Sequence, residues 1–241
     1  MTHAIAAFAR DGCAVAEQVV NADVCAALCQ LCDPLLQPED QPRPGVRRAL
    51  EREPRLVDLL ARSPLTALAR DVMGTTAPIV RSILFDKSPA ANWLVPWHQD
   101  ATIAVRDRCD VPGFGPWSLK DGEHHCRPSR EVLDQIVVLR LHLDDCGPGN
   151  GPLRVIPASH REGLVSPARL DELVARGPEQ TYTAHAGDVV LMRPHTIHAS
   201  AKASHPARRR VLHLEFCGHA LPHPLAWAEA VHLSGSAYRR A

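Results

Sequence analysis

The chain has 241 residues, with 27 acidic and 27 basic side chains, a balance that argues against a surface built for nucleic acid or an anionic membrane. Its length suits one large β-type domain spanning 1–241. The apolar stretch Ala4–Ala9 is too short for a cleavable signal and runs into Arg10 and Asp11, and no run reaches membrane-spanning length, so a cytoplasmic protein is expected.

In chain order, Asn21 is placed to cap a helix reaching about Leu35, with Asp23 in its first turn. Cys25, Cys29 and Cys32 fall at helical spacing within it, either as metal ligands or as the buried stripe of the helix. No fourth thiolate or histidine nearby completes a zinc set, so the stripe is the expectation. Ser63-Pro64 and Gly74 bracket a helix at Leu65–Met73, and Ser166-Pro167 and Gly177 bracket another at Ala168–Arg176. Strands are expected at Pro78–Asp86, around Trp97–Val105, and at Gln135–Asp144, Leu153–Ile156, Asp188–Met192 and Val211–Phe216. Apolar alternation broken by Gly-Pro turns at this spacing points to a barrel or jelly roll, mainly β, with the N-terminal helices packed on one sheet. Gly147–Pro152 reads as a tight turn, since it lacks the lysine and following helix of a phosphate cradle. Arg106–Arg130, rich in Gly, Pro and polar residues, is either a lid or binding loop carrying Trp117, Lys120, His124 and His125, or a surface excursion.

The chemistry concentrates in His98-Gln99-Asp100, read with His198 and Arg209. In an extended strand residues two apart share a face, so His98 and Asp100 can reach one metal. Two histidines and one carboxylate leave three coordination positions open, the set that suits a non-haem Fe(II) oxygenase. His198 follows the apolar run Val189–Met192, and Arg209 follows His198 by eleven residues. In the strand around Val211, Leu212, Leu214 and Phe216 share one face, while Arg209, Val211 and His213 share the other, toward a cavity where a guanidinium can clamp a carboxylate. His195 lacks these offsets and is set aside, His160 is read as a structural hydrogen-bonding residue, and His205, His219, His223 and His232 as exposed.

With these residues in place, the chain resembles the phytanoyl-CoA dioxygenase family of iron(II)/2-oxoglutarate oxygenases. The matching positions are His98, Asp100, His198, Ser200 and Arg209, together with Phe8–Gly12 and Asn150–His160, where Ala158 stands in place of the usual glycine. The resemblance implies a double-stranded β-helix, Fe(II) held by His98, Asp100 and His198, and 2-oxoglutarate and O2 as co-substrates. It further implies Arg209 on the distal carboxylate of 2-oxoglutarate, helped by Ser200, and hydroxylation or another C–H oxidation with release of succinate and CO2. A carboxylate at position 100, rather than a small residue, leaves no room for halide on the metal.

Two further groups face inward by alternation. Val137, Leu139, Leu141 and Leu143 share the face toward the helices, leaving Arg140 and His142 toward the cavity. Arg81, Ile83, Phe85 and Lys87 form one face of the preceding strand, with Lys87 near its end expected to be solvated. A buried arginine needs an acid, so Arg140 either pairs with Glu215 or Asp144 or meets a ligand carboxylate. Arg140, His142 and Arg81 are therefore candidate substrate residues for a small metabolite bearing an acidic group. A demethylase or hydroxylase of a protein side chain, and a non-catalytic metal-binding jelly roll, are the alternatives.

Overall fold

The alternating segments pair into thirteen strands within the residues that the computed structural model describes, 1–36 and 45–233. They are β1 (Cys13–Ala16), β2 (Gly45–Arg47), β3 (Ile79–Lys87), β4 (Val95–His98), β5 (Ile103–Val105), β6 (Trp117–Lys120), β7 (Glu123–Cys126), β8 (Val137–His142), β9 (Leu153–Val155), β10 (Gln180–Tyr182), β11 (Val189–Met192), β12 (His198–Ser200) and β13 (Arg209–Phe216). A six-stranded sheet runs β1-β11-β8-β13-β3-β2, and a four-stranded sheet runs β10-β9-β12-β4. Both line one cavity. This is the expected double-stranded β-helix.

The outer face of the large sheet carries Leu139, Leu141, Val189, Leu191, Leu212, Leu214 and Phe216. These pack in one cluster with Phe8, Leu28, Leu56, Leu60, Leu65 and Leu68 of the N-terminal helices. Each such side chain contributes roughly 1.5–3 kcal/mol on burial. A one-residue slip would turn the apolar set into the cavity, so this layer fixes which residues face inward. Asn21 caps the helix Ala22–Cys32, its Oδ1 accepting from Val24 N at 2.9 Å, and a short 3-10 turn extends it to Leu36. Cys25 and Cys32 are buried in that helix and burial pushes both thiols up, to about 11 and about 12, as a packing stripe requires.

Several elements depart from the sequence reading. The run Ala4–Ala9 belongs to a helix, Thr2–Asp11, and leads into β1 at the sheet edge. The expected strand around Trp97–Val105 is two strands, β4 and β5, with residues 99–102 outside both. Arg106–Arg130 contains the β6–β7 hairpin, which pairs with β5 in a third, three-stranded sheet. No described helix is long and apolar enough to cross a membrane.

Two turns support the distal histidine from below. Gly12 has φ 76°, and a Cβ there would lie 2.3 Å from His160 Nδ1 and 2.5 Å from Thr196 Oγ1. Its carbonyl accepts from Thr196 Oγ1 at 2.9 Å and Arg193 N at 2.8 Å. Ala158 has φ 63°, the left-handed conformation in which a glycine costs least. It presents Ser159, whose Oγ donates to Ile156 O at 2.7 Å and accepts from Ile197 N at 2.8 Å. His160 packs against Gly12, and its Nδ1 has no hydrogen-bond partner among the described residues, so it acts by shape where a hydrogen bond was expected.

Candidate metal centre

His98 and His198 are brought together by strand pairing: they sit directly opposite each other on β4 and β12, ring centroids 4.1 Å apart. Asp100 reaches the same point by another route than strand alternation. The chain leaves β4 after His98, and Gln99, to which the sequence reading gave no role, pins the turn. Its Nε2 donates to Gly163 O and His195 O, each at 2.7 Å, and its Oε1 accepts from Val165 N at 2.9 Å. Asp100 N donates to Pro194 O at 2.9 Å, and the carboxylate ends with Oδ1 3.7 Å from His98 Nε2 and Oδ2 3.7 Å from His198 Nε2.

The tautomers suit a metal. His98 Nδ1 lies 2.8 Å from Pro96 O, and His198 Nδ1 lies 2.8 Å from Thr196 O. A carbonyl only accepts, so both protons are on Nδ1 and both Nε2 lone pairs are free. Burial pushes His198 down to about 4, which keeps it neutral and ready to ligate. Burial alone would raise Asp100, but the positive charge its two imidazole neighbours carry when protonated, like that of a metal in the proton's place, holds it well below the usual carboxylate range. The ligand atoms lie within 4.8 Å of one another, and among the described residues no other group of three His, Cys, Asp or Glu side chains converges this way. His195 instead points Nδ1 at Asp134 Oδ1, 3.2 Å away, and His205, His219, His223 and His232 are exposed.

Two buried cations lie side by side where β3 and β13 meet, and one of them, Arg209, lines the cavity. Arg209 on β13 pairs in register with Lys87 on β3. The Arg209 Nη1 donates to Gly151 O and, at 3.7 Å, to Cys146 Sγ, while its Nε has no partner among the described residues. Lys87 is only 1 % exposed and donates from Nζ to Ala201 O at 2.6 Å and Ser200 Oγ at 3.4 Å. Ser200 in turn donates to Gly151 O at 2.8 Å. The expectation that Lys87 is solvated fails, because the loop after β12 covers the end of β3. Burial, then Arg209, push the Lys87 ammonium down to about 8. Among the described residues no carboxylate lies within 4.0 Å of either cation, and two buried like charges are costly until an anion joins them.

Comparison with known proteins decides what this arrangement belongs to. The phytanoyl-CoA dioxygenase (PhyH) family matches residues 8–211. The chain belongs to the phytanoyl-CoA dioxygenase family. The cofactor class that goes with the family is iron with 2-oxoglutarate, and the two free imidazole lone pairs and the carboxylate fit the iron. An ectoine dioxygenase of Sphingopyxis alaskensis is 30% identical over 173 residues, covering 66% of this chain and 50% of that protein. The chain spans about half the length of the curated relatives it matches. Among solved structures, AviO1 from Streptomyces viridochromogenes Tue57 superposes with a TM-score of 0.64 at 26% identity, covering 92% of this chain and 96% of that one. EctD from S. alaskensis with bound Fe gives a TM-score of 0.70 at 24% identity, covering 93% of this chain and 79% of that one, and shares the fold.

In this family member the remaining inward cations are sorted by register. His213 lies opposite Arg140, whereas Glu215 lies opposite Arg81 and Val138. Arg140 Nη1 accordingly donates to His213 Nδ1 at 3.0 Å, His213 Nε2 donates to Glu215 Oε1 at 3.2 Å, and Arg81 Nη1 donates to Glu215 Oε1 at 3.0 Å. The expected Arg140–Glu215 pair is absent for that reason, and Asp144 is taken by Arg210 on the outer side, Oδ1 to Nη2 2.7 Å. Burial and then Arg209 push Arg140 down to about 10. Arg81, Arg140, Arg209, Ser200 and the metal triad all line a cavity of about 120 Å³, walled by Ile83, Phe85, Val95 and Leu153. His142 shares the inward face but does not line this cavity, and burial pushes it down to about 3.

Proposed function

We propose that the chain, as one oxygenase domain over 1–241, is an iron(II)/2-oxoglutarate-dependent dioxygenase that hydroxylates or otherwise oxidises an unactivated C–H of a small-molecule metabolite, releasing succinate and CO2. The observation that carries this reading is the convergence of two imidazole lone pairs and one carboxylate beside a buried, anion-deficient Arg209–Lys87 pair. His98, Asp100 and His198 would hold the iron, and Arg209, Lys87 and Ser200 the distal carboxylate of 2-oxoglutarate. Iron with 2-oxoglutarate supplies the oxidation of an inert C–H by O2, chemistry no side chain can provide. The protein's own part is orientation and dryness. Ile83, Phe85, Val95 and Leu153 give the cavity an apolar wall that would shed water once a substrate fills it, and the carbonyls of Pro96 and Thr196 keep each ligand histidine in one tautomer.

Arg81 and Arg140 line the cavity and support a substrate bearing an acidic group; His142, the third candidate, would act only through its neighbours. The relatives named for ectoine support a small molecule as substrate. The test is formation of succinate from 2-oxoglutarate in the presence of Fe(II), O2 and a metabolite library, followed by mass analysis for a product that gains one oxygen or loses two hydrogens. Iron-dependent succinate with no stimulation by any small molecule, but with stimulation by a peptide or protein, would move the reading to a protein side chain.

A further inference from the structure

Two cationic groups lie at opposite ends of the cavity, and the co-substrate accounts for one. Arg209 and Lys87 pair at one end of β13 and β3; Glu215 and Arg81 pair six positions along, about 20 Å away at about 3.4 Å per residue. The metal ligands line the same cavity. Ser200, two residues past His198, belongs to the first end, and Thr102, two residues past Asp100, meets Lys120 of the β6–β7 hairpin.

We propose that the β6–β7 hairpin carries the subsite for the substrate's acid group, with Lys120 and Arg81 as the cations that receive a carboxylate or phosphate. The proposal rests on the oxygenase reading above and specifies where its substrate is held. The hairpin tip is fixed by an ion pair, Arg47 Nε donating to Asp121 Oδ2 at 2.9 Å. Arg47 lies opposite Ile83, which shares the cavity face of β3 with Arg81, so the tip is tied to the edge of the large sheet beside that face. Lys120, at the end of β6 opposite Glu123, extends Nζ to Thr102 Oγ1 at 3.4 Å. The ammonium is thereby held on the metal side of the hairpin. Burial, then Arg81, then Arg47 push it down, as expected for three cations gathered on one side.

The short-range pairing there does not close. Glu215 answers Arg81 and Asp121 answers Arg47, but among the described residues no carboxylate lies within 4.0 Å of Lys120. Arg81 Nε and Arg47 Nη1 are buried without a partner among the described residues. Glu123, the remaining acid on the hairpin, is 3.0 Å from the buried His125. Among the described residues, Lys120 and two N–H donors still lack an anionic partner within hydrogen-bonding reach. A 2-oxoglutarate held at Arg209 is too short to supply it, which leaves the substrate. Lys120 would be a binding and specificity residue here, supplied by a segment outside the two main sheets.

The test uses the anaerobic Fe(II)–2-oxoglutarate enzyme, with acetate and inorganic phosphate as separate probes followed by calorimetry. At least one anion is expected to bind saturably, with a dissociation constant no weaker than about 10 mM. Lys120→Met should weaken it tenfold or more, Lys120→Arg should retain it, and neither should change 2-oxoglutarate affinity by more than twofold. Which probe binds tells a carboxylate site from a phosphate site. Absence of saturable binding of both anions, or binding that Lys120→Met weakens by less than tenfold, overturns the subsite while leaving the oxygenase reading intact. Failure of the wild-type Fe(II)–2-oxoglutarate complex to form would overturn that reading, and the subsite with it.

Discussion

Replacing Arg209 by Ala removes the side chain on which co-substrate selectivity is expected to turn. The guanidinium is buried, with Nη1 committed to Gly151 O and Cys146 and Nε free, so the remaining N–H groups can meet a carboxylate in parallel. Two charge-assisted hydrogen bonds are worth about 1.5–3 kcal/mol each. Lys87 remains beside the vacancy and offsets part of the loss, so roughly 2–5 kcal/mol is expected, or about 30- to 4,000-fold in 2-oxoglutarate affinity. Lys87→Met should cost less, about tenfold, because it removes one point charge and relieves repulsion with Arg209. Iron affinity should hardly move in either variant. The neighbours are built-in controls: Arg208 is exposed and pairs with Asp33 and Asp86, and Arg210 points outward to Asp144 and Asp33. Anaerobic titration of 2-oxoglutarate into the Fe(II) enzyme gives the number. An Arg209→Ala protein within threefold of wild type, or a loss carried by Arg208→Ala instead, would refute the inward assignment of this strand.

Three further outcomes follow from single groups. Lys87 is held down to about 8 and attracts a dianion only when charged, so 2-oxoglutarate affinity should be greatest below that pH and fall as pH rises through it, a dependence that Lys87→Met abolishes in a pH-resolved binding titration. Glu229, 2 % exposed and accepting from Ser82 N and Oγ, is raised by burial from 4.5 to about 7. The proton it holds in the fold therefore stabilises fully below pH 4.5, and that contribution is lost as pH rises to about 7; Glu229→Gln should flatten the profile and be more stable above pH 7 by up to about 3 kcal/mol in denaturant melts. Ala158→Gly should stabilise by up to about 1 kcal/mol, the left-handed cost of alanine less the added chain entropy of glycine; a drop in melting temperature would contradict the strain at this turn.

What could be read from the residues alone was what strand alternation and short spacings control. The outward leucines of β8 and β13 sit on the helices as their period requires, and the offsets among His98, Asp100, His198 and Arg209 survive folding because each is set by one or two adjacent strands. What failed was register. Alternation says that Arg140 and Glu215 both face inward, but only the pairing of β13 with β8 and β3 decides that Glu215 meets Arg81 and Arg140 meets His213. Lys87 differs for another reason: a strand end is solvated unless a distant loop, here residues after β12, closes over it. The β6–β7 hairpin was hidden because Trp117–Lys120 and Glu123–Cys126 are four residues each and rich in polar and charged side chains, too short and too polar to announce themselves as strands. Asp100 lies beside His98 as the HxD spacing suggests, but Gln99 and not a continuous strand sets its direction.

The central claim is that His98, Asp100 and His198 jointly hold an iron that 2-oxoglutarate chelates. Mixing the protein with Fe(II) and 2-oxoglutarate without oxygen should give a weak visible charge-transfer band that saturates at one iron per chain. The band should vanish in Asp100→Ala and His198→Ala proteins whose circular dichroism matches wild type. A wild-type-like band in either folded variant, or no band in the unaltered protein, would contradict the account.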